Sequence, residues 1–505
     1  MSRAGGSKRG RGAVPGSKGS AGLRSSVPEP ERIRRRLADE VGTLYRQASE
    51  RMALVYPSPY RVGMSSLGFQ TLYREINRRP GRAAERAFLP EDPAAARAAR
   101  TPLLCYESGR PLGDFPLIAF SVAYELELGG VVQSLQLAGI PPLWERREPK
   151  HPFVLCGGPL TFANPLPLAP FADAILMGEA EQTVHRALDI IAQSPDKRRA
   201  REALAREIDS CLVPAVQDAR PAPLARCPQE LLPARSQIRT AHTELSQMFL
   251  VEAVRGCSRD CAYCVMRASP GGGMRVIDER AILGLLPDDA RRVGLVGAGV
   301  SDHPRITALV RQLAGQGREV GLSSLRPDRL DEDLAIALRQ AGCRTLTTAL
   351  DGASQRLRDR VGRKVRPEHL LQAARLAHTH GYKRLKLYAM VGLPGETDED
   401  VNELIELSRQ LASVHPLSLS LAPFVPKLRT PLADAPFSGV RELEGRLRRL
   451  ARALAGRVQI SATGARWARV EYLLARGGPR QGLQVLEAVE RGGRLRDYLK
   501  ALESG

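Results

Sequence analysis

The chain has 505 residues, enough for two to four domains with hydrophobic cores of their own. Hydrophobic residues make up 43% of it, yet no run of eighteen apolar residues occurs, which excludes a membrane-spanning helix; eight cysteines in this length exclude a secreted disulfide framework. A formal charge of +20 invites a nucleic-acid partner, but aromatics are only 5%, too few for the stacking residues of single-strand binders, so a solvated arginine-rich surface is the favoured reading.

Residues 1–27, rich in Gly, Ser, Lys and Arg, read as a disordered basic tail without the apolar stretch of a secretory signal. The tail leaves room for weak, non-specific nucleic-acid binding. Residues 28–50 follow as an amphipathic helix with prolines before its first turn. Over 51–199 strands at 52–57, 117–122, 153–155 and 174–177 alternate with helices, one at 126–138. That alternation predicts a Rossmann-like α/β domain, a parallel sheet covered on both faces. Gly157 and Gly158 fall at a strand end, where a bare backbone lets a ligand approach the carboxyl edge.

Residues 200–245, rich in Pro, Ala and Arg, read as a linker. From 246 to 455 the βα alternation becomes regular, with strands at 248–254, 292–300, 320–325, 345–350, 383–391 and 417–424. Helices at 304–316, 331–341, 367–380 and 398–413 separate them. Six such units predict a partial (β/α)6 barrel, whose chemistry gathers at the carboxyl ends of the strands. Residues 456–505 read as a helical C-terminal segment that closes the barrel or packs beside it.

The first barrel strand runs into Arg255-Gly256-Cys257-Ser258-Arg259-Asp260-Cys261-Ala262-Tyr263-Cys264, a CxxxCxxC pattern with an aromatic before the last cysteine. Three thiolates on one loop can ligate three irons of a [4Fe–4S] cluster and leave the fourth open to a reactant. Zinc would need a fourth Cys or His, and Cys105, Cys156, Cys211, Cys227 and Cys343 are scattered singly. A disulfide fits three clustered cysteines poorly. A fourth donor from elsewhere in the chain, giving an electron-transfer centre, stays open. Unpaired cysteines and an oxygen-sensitive cluster together point to a cytoplasmic location.

Later strand ends carry further motifs. Gly297-Ala298-Gly299 follows the second strand, Ser323-Ser324-Leu325-Arg326-Pro327-Asp328 the third, Asp351-Gly352-Ala353-Ser354 the fourth and Gly392-Leu393-Pro394-Gly395-Glu396-Thr397 the fifth. Taken singly, each has an ordinary structural reading: Asp351 as a helix N-cap, Arg326 as a surface ion pair, the Gly/Pro stretch as a turn. Glu396 reads as a helix-start residue, and His303 and His415 as packing or surface residues.

The cysteine spacing resembles the radical S-adenosylmethionine (SAM) superfamily. The segments VGLVGAGVSDHP (293–304), GLSSLRPDRL (321–330), TLTTALDGASQRLRD (345–359) and KLYAMVGLPGETDEDV (386–401) are similar to B12-binding-domain-containing radical SAM proteins. So are YPSPYRVGMSSLGFQTLYREIN (56–77), FSVAYELELGGVVQSLQLAGIP (120–141) and GGPLTFANPLPLAPFADAILMGEAEQ (157–182). The resemblance implies a cluster on Cys257, Cys261 and Cys264, with SAM chelating the open iron. It also implies that Tyr263 sets the backbone near the adenine. Gly297, Gly299, Ser324 and Arg326 would lie at the amino acid end of SAM, with Arg326 pairing its carboxylate. Asp351 would receive the ribose hydroxyls, and Gly392 and Gly395 would lie on the adenine side.

Three departures stand beside the resemblance. A Gly-Gly-Glu motif lacks its Glu after the second strand, and Asp351 stands where the group has Glu. The front-domain loop reads Gly63-Met64-Ser65-Ser66-Leu67-Gly68 in place of the cobalamin motif DxHxxG. The front domain therefore either holds cobalamin without a histidine lower ligand or keeps only the fold. The implied activity is reductive cleavage of SAM to a 5′-deoxyadenosyl radical, with methyl transfer to an unactivated carbon if cobalamin sits at the barrel mouth. An electron donor such as flavodoxin or ferredoxin and an unknown substrate are the implied partners, and no membrane is. RNA methylation or methylthiolation is a second reading. A non-catalytic iron–sulfur protein, for electron transfer or redox sensing, is a third.

Overall fold

Buried β-branched and aliphatic stretches alternating with amphipathic helices build two parallel-sheet units in the computed structural model, which describes residues 28–217 and 222–504. The tail 1–27, with the disorder and nucleic-acid binding expected of it, lies outside the described residues. The helix expected over 28–50 covers only Glu29–Ala38; the chain beyond runs irregularly, with Gly42 at φ 101° and its Cβ position 2.2 Å from the Gln237 carbonyl.

The front unit has six strands: β1 (Glu50–Tyr56), β2 (Arg82–Phe88), β3 (Leu117–Ser121), β4 (Phe153–Gly157), β5 (Ala174–Leu176) and β6 (Cys211–Leu212). Their order is β2-β1-β3-β4-β5-β6, parallel except for the antiparallel edge strand β6. This is a doubly wound sheet whose strand order reverses between β1 and β3. Strand β2, Arg-Ala-Ala-Glu-Arg-Ala-Phe, is buried at every residue, and no strand was expected there. Its charges are partnered. Arg86 contacts Glu40 at 2.8 Å and Glu107 at 2.6 Å, and Glu85 pairs with Arg51. Such pairing lets charged residues occupy a buried strand that a hydropathy pattern would pass over. The segment expected as a linker also holds structure: helix Lys197–Glu207 crosses the 199/200 boundary, and β6 joins the front sheet.

The second unit begins with β7 (Met248–Glu252). A hairpin of β8 (Val254–Gly256) and β9 (Met274–Val276) follows. Then come β10 (Arg292–Val296), β11 (Glu319–Leu322), β12 (Thr345–Asp351), β13 (Arg384–Val391), β14 (Leu417–Pro423) and β15 (Val458–Ala462). One parallel sheet is ordered β11-β10-β7 and a second β12-β13-β14-β15, with a parallel bridge from Leu325 to Thr348 joining them. The open barrel thus has seven parallel strands in chain order, where six were expected. The added strand, β15, alternates exposed Gln459 and Ser461 with more buried neighbours and was hidden in a segment read as helical.

On β12, β13 and β14 alternate residues point to the helices. Leu346, Leu350, Leu385, Leu387 and Leu419 are fully buried there, each adding about 1.5–3 kcal/mol to the core. The intervening residues face the lumen in two rows across the register, Thr347–Lys386–Ser418–Gln459 and Ala349–Tyr388–Ser420–Ser461.

The last three helices, Ala465–Ala475, Pro479–Glu490 and Leu495–Glu503, return to the front unit. Val470, Leu474, Val485, Val489 and Tyr498 share one hydrophobic core with Val55, Ile118, Val131 and Phe171. Asn164 on the front unit donates to the carbonyls of Leu474, Ala475 and Gly477 at 3.3, 3.0 and 2.7 Å, satisfying the end of helix Ala465–Ala475. These helices therefore lock the two units together. No described helix is long and apolar enough to cross a membrane.

Candidate active site

The cysteine loop is the connection between β8 and β9. Gly256, at φ 80°, brings the hairpin so close that a Cβ would lie 2.4 Å from the Gly273 carbonyl, and Cys257 N–H donates to that same carbonyl at 3.2 Å. Further along, Ala262 N–H donates to Val361 at 2.9 Å, and Ala262 C=O accepts from Leu432 N–H at 3.3 Å. The loop is held from three sides. Cys261 is buried, while Cys257 and Cys264 are half-buried. Burial pushes the Cys264 thiol up, and the Cys261 and Cys257 thiols add to the shift, which places all three within electrostatic reach of one another.

Among the described residues no three His, Cys, Asp or Glu side chains converge as ligands of a single ion would. In a cubane each thiolate binds its own iron, so the donors need not meet at one point. The donor set fits an iron–sulfur cluster on Cys257, Cys261 and Cys264 better than a mononuclear zinc.

Around this loop the strand ends contribute side chains. Tyr263 donates to Asp351 Oδ2 at 2.6 Å, and burial together with that carboxylate pushes the phenol well up. Asp351 sits at φ 67°, in the left-handed region, at a register shift that ends the β12–β13 pairing. Its carboxylate also forms an ion pair with Arg363 Nε at 2.9 Å. Arg363 additionally bonds the Ala349 carbonyl at 3.0 Å and approaches the Cys261 thiol. Burial works against its charge, but Asp351, Tyr263 and Cys261 together raise its pKa. The motif reading missed Arg363. Nothing distinguishes it in sequence from neighbouring arginines except Gly362 before it, at φ 70°, which turns the chain back towards the loop.

Other expected residues have partners of their own. Arg326 is buried and its guanidinium is shared between Asp302, at 2.9 and 3.2 Å, and Asp328. Expected at the carboxylate of SAM, it has these two acid partners and organises the loop beneath Ser258, whose hydroxyl donates to Asp302 at 2.9 Å. Gly297 leaves space for the hairpin rather than for a ligand, since a Cβ would lie 2.4 Å from Val254 Cγ2. Gly299 has only ordinary contacts around its Cβ position, and Ser324 is exposed at the strand end. Gly392, at φ 87°, donates its N–H to Glu396 at 2.9 and 3.0 Å, and Gly395, at φ 72°, lies against Arg360. Glu396 is thus a staple across the turn, ion-paired with Arg446 at 3.1 Å, and the helix is started by Thr397 with Asp400. His303 is buried against the Ile277 carbonyl, and His415 is buried beside His378.

The front unit reaches the same loop. Glu181 pairs with Arg255 at 2.6 Å, and Glu179 accepts from Arg275 at 2.6 Å, so the loop after β5 grips both strands of the cysteine hairpin. The turn Pro159–Phe162 after β4 lies against Val265–Ala268, which directly follows Cys264. Lys427, from the loop after β14, bridges Glu125 and Glu471 at 2.7 Å each. Gly157 and Gly158 belong to this docking edge. At Gly158, φ 105°, the Cβ position is only 2.6 Å from the Val122 carbonyl, so the missing side chain serves the close approach of two strand ends. The loops at the carboxyl ends of β1, β3, β4 and β5 contain no histidine.

Comparison with known proteins agrees with this geometry. Residues 251–408 match the model of the radical SAM superfamily, and residues 68–214 match the model of radical SAM proteins, N-terminal. The chain carries radical SAM superfamily domains. An uncharacterised protein of Methanocaldococcus jannaschii is 25% identical over 395 residues, covering 75% of this chain and 78% of the relative. An uncharacterised methyltransferase of Pyrococcus horikoshii is 24% identical over 272 residues, which is 51% of this chain and 58% of that protein. A tRNA-2-methylthio-N(6)-dimethylallyladenosine synthase of Thermus thermophilus is 28% identical over 173 residues, or 31% and 37% of the two chains. In fold, the chain is similar to the cobalamin-dependent SAM radical enzyme OxsB with aqua-cobalamin bound, with a TM-score of 0.51, 11% identity, and coverage of 90% of this chain and 72% of that one.

Proposed function

We propose that the protein is a radical SAM enzyme that cleaves SAM reductively and uses the 5′-deoxyadenosyl radical to abstract hydrogen from a substrate. The observation that carries the reading is the grouping of three thiols, with no further Cys or His between β8 and β9, on a loop held at the carboxyl end of a parallel barrel. A [4Fe–4S] cluster with one open iron supplies, when bound, the electron that splits the sulfonium. The chain's own residues bind, orient and enclose. Cys257, Cys261 and Cys264 hold the cluster, and Arg363 offsets negative charge beside Cys261. Asp351, oriented by Tyr263 and Arg363, presents a carboxylate next to the cluster loop for the ribose hydroxyls of SAM. The front unit, clamped through Glu179 and Glu181, shields the loop from water. A small electron-transfer protein such as flavodoxin or ferredoxin is the proposed donor.

Cobalamin enters only as a finer proposal. With no histidine in the loops at the carboxyl edge of the front sheet, the residues there do not fit a histidine-ligated cobalamin. Bound cobalamin would supply a methyl-carrying cobalt. The RNA-modification reading is favoured by the tRNA-modifying relative, but that match spans 37% of the relative, so the barrel reading stands ahead of it.

The test is product analysis. Protein reconstituted anaerobically and given SAM and dithionite is expected to form 5′-deoxyadenosine. Cys261→Ala should form none, while Cys343→Ala, distant in sequence from the loop, should behave as the wild type. SAM cleavage by the Cys261→Ala protein would overturn the assignment.

A further inference from the structure

Resting on the enzymatic reading above, the structure assigns a substrate class to the barrel lumen: we infer that it takes a small organic anion whose carboxylate or phosphate pairs with Lys386. Three observations carry this. Lys386 lies on the lumen face of β13, between Thr347 and Ser418 in the register, and among the described residues no carboxylate pairs with its ammonium. Its one close partner is the ring of Tyr388, 4.6 Å from Nζ to the centroid, a contact that leaves the charge unneutralised. Arg255, Arg275, Arg326, Arg363 and Lys427 around the site differ in having acidic partners, while Arg384, on the same face as Lys386, is bonded to the neutral Gln459 amide.

Ala349, Ser420 and Ser461, beside Tyr388 in the register, are small, Met390 stands next to it towards the carboxyl end, and Tyr388 itself is 39% exposed. The facing sheet supplies an apolar wall, because Met248 and Leu250 fold over Gly294, where a Cβ would be 2.8 and 2.6 Å from them. A lumen face with an ammonium that has no carboxylate partner, hydroxyls on one side and aliphatic carbon on the other suits an anionic ligand with an apolar portion. An unpartnered ammonium in a confined space is stabilised by such a ligand and discriminates against cationic ones.

Calorimetry on the full-length, anaerobically reconstituted protein at low ionic strength tests the assignment, with inorganic phosphate, glutarate and glycerol as probes. At least one anion is expected to bind and glycerol to give no heat; which anion binds separates a phosphate from a carboxylate preference. Lys386→Gln should weaken the anion by about tenfold or more, the effect of losing one charge-assisted contact. Lys386→Arg should retain it, and Ser420→Leu, which narrows the shaft, should block it even if the Gln variant fails to fold. No anion binding by the wild type, or equal binding by Lys386→Gln, would overturn the inference. So would a tRNA transcript that binds while neither anion does. Binding is read without SAM or reductant, so failure to make 5′-deoxyadenosine condemns the enzymatic reading alone, and failure to bind anions condemns this inference alone.

Discussion

Arg363 shows how much of the candidate site depends on one side chain that carries no motif. It places a positive charge between the Asp351 carboxylate and the Cys261 thiol, and its Nε lies 2.9 Å from Asp351. Reduction potentials of iron–sulfur clusters follow net charge and hydrogen bonds to sulfur. Arg363→Met should therefore make the reconstituted cluster harder to reduce. The shift should be on the order of 100 mV, the scale of a unit charge close to a redox centre at an effective dielectric constant of about 20. Arg363→Lys should recover most of it. A redox titration followed by EPR reads the difference, and an unchanged potential in Arg363→Met would remove Arg363 from the site. At this scale the sequence showed the thiols, the phenol and the carboxylate, because spacing and residue type are visible in a chain. It did not show the acid partners of Arg326, because only the fold brings Asp302 and Asp328 against it.

The turn after β13 illustrates the scale of an element. Its sequence, Gly-Leu-Pro-Gly-Glu-Thr, was legible as a tight turn before a helix, and both glycines do take positive φ. The role of Glu396 was not legible: its side chain is turned inward, where it accepts the Gly392 N–H and meets Arg446 from helix Val440–Ala453. Burial raises its pKa above 4.5, and the Gly392 N–H and Arg446 only partly oppose that. A raised carboxyl means that the folded protein binds the proton more tightly than the unfolded one, so stability falls as pH climbs above 4.5. Glu396→Gln removes that slope. Denaturant unfolding of the two proteins should show the Gln variant gaining on the wild type as pH rises from 4.5 towards neutrality. A gap that moves the other way would mean that the Arg446 ion pair outweighs the cost of burying the charge. Strand β2 teaches the same lesson in reverse. Its arginines and glutamate concealed a fully buried strand, since charge pairing across elements cannot be read from local hydropathy.

For the whole molecule, the two α/β units and the barrel's strand-by-strand logic were readable from the alternation of apolar strands and amphipathic helices. The seventh strand and the return of the C-terminal helices to the front unit were not, because they depend on contacts between residues hundreds of positions apart. Those contacts give the arrangement its sense. Helices that follow β15 complete the core around Val131 and Phe171, Lys427 ties Glu125 to Glu471, and Glu179 and Glu181 hold the cysteine hairpin. The barrel mouth and the front sheet's carboxyl edge are consequently one structure, built around three thiols. The most direct measurement is a Mössbauer comparison of the cluster, rebuilt with enriched iron, before and after SAM is added. One iron of the four should change its isomer shift while the other three keep theirs; four irons that all ignore SAM would contradict an open coordination site.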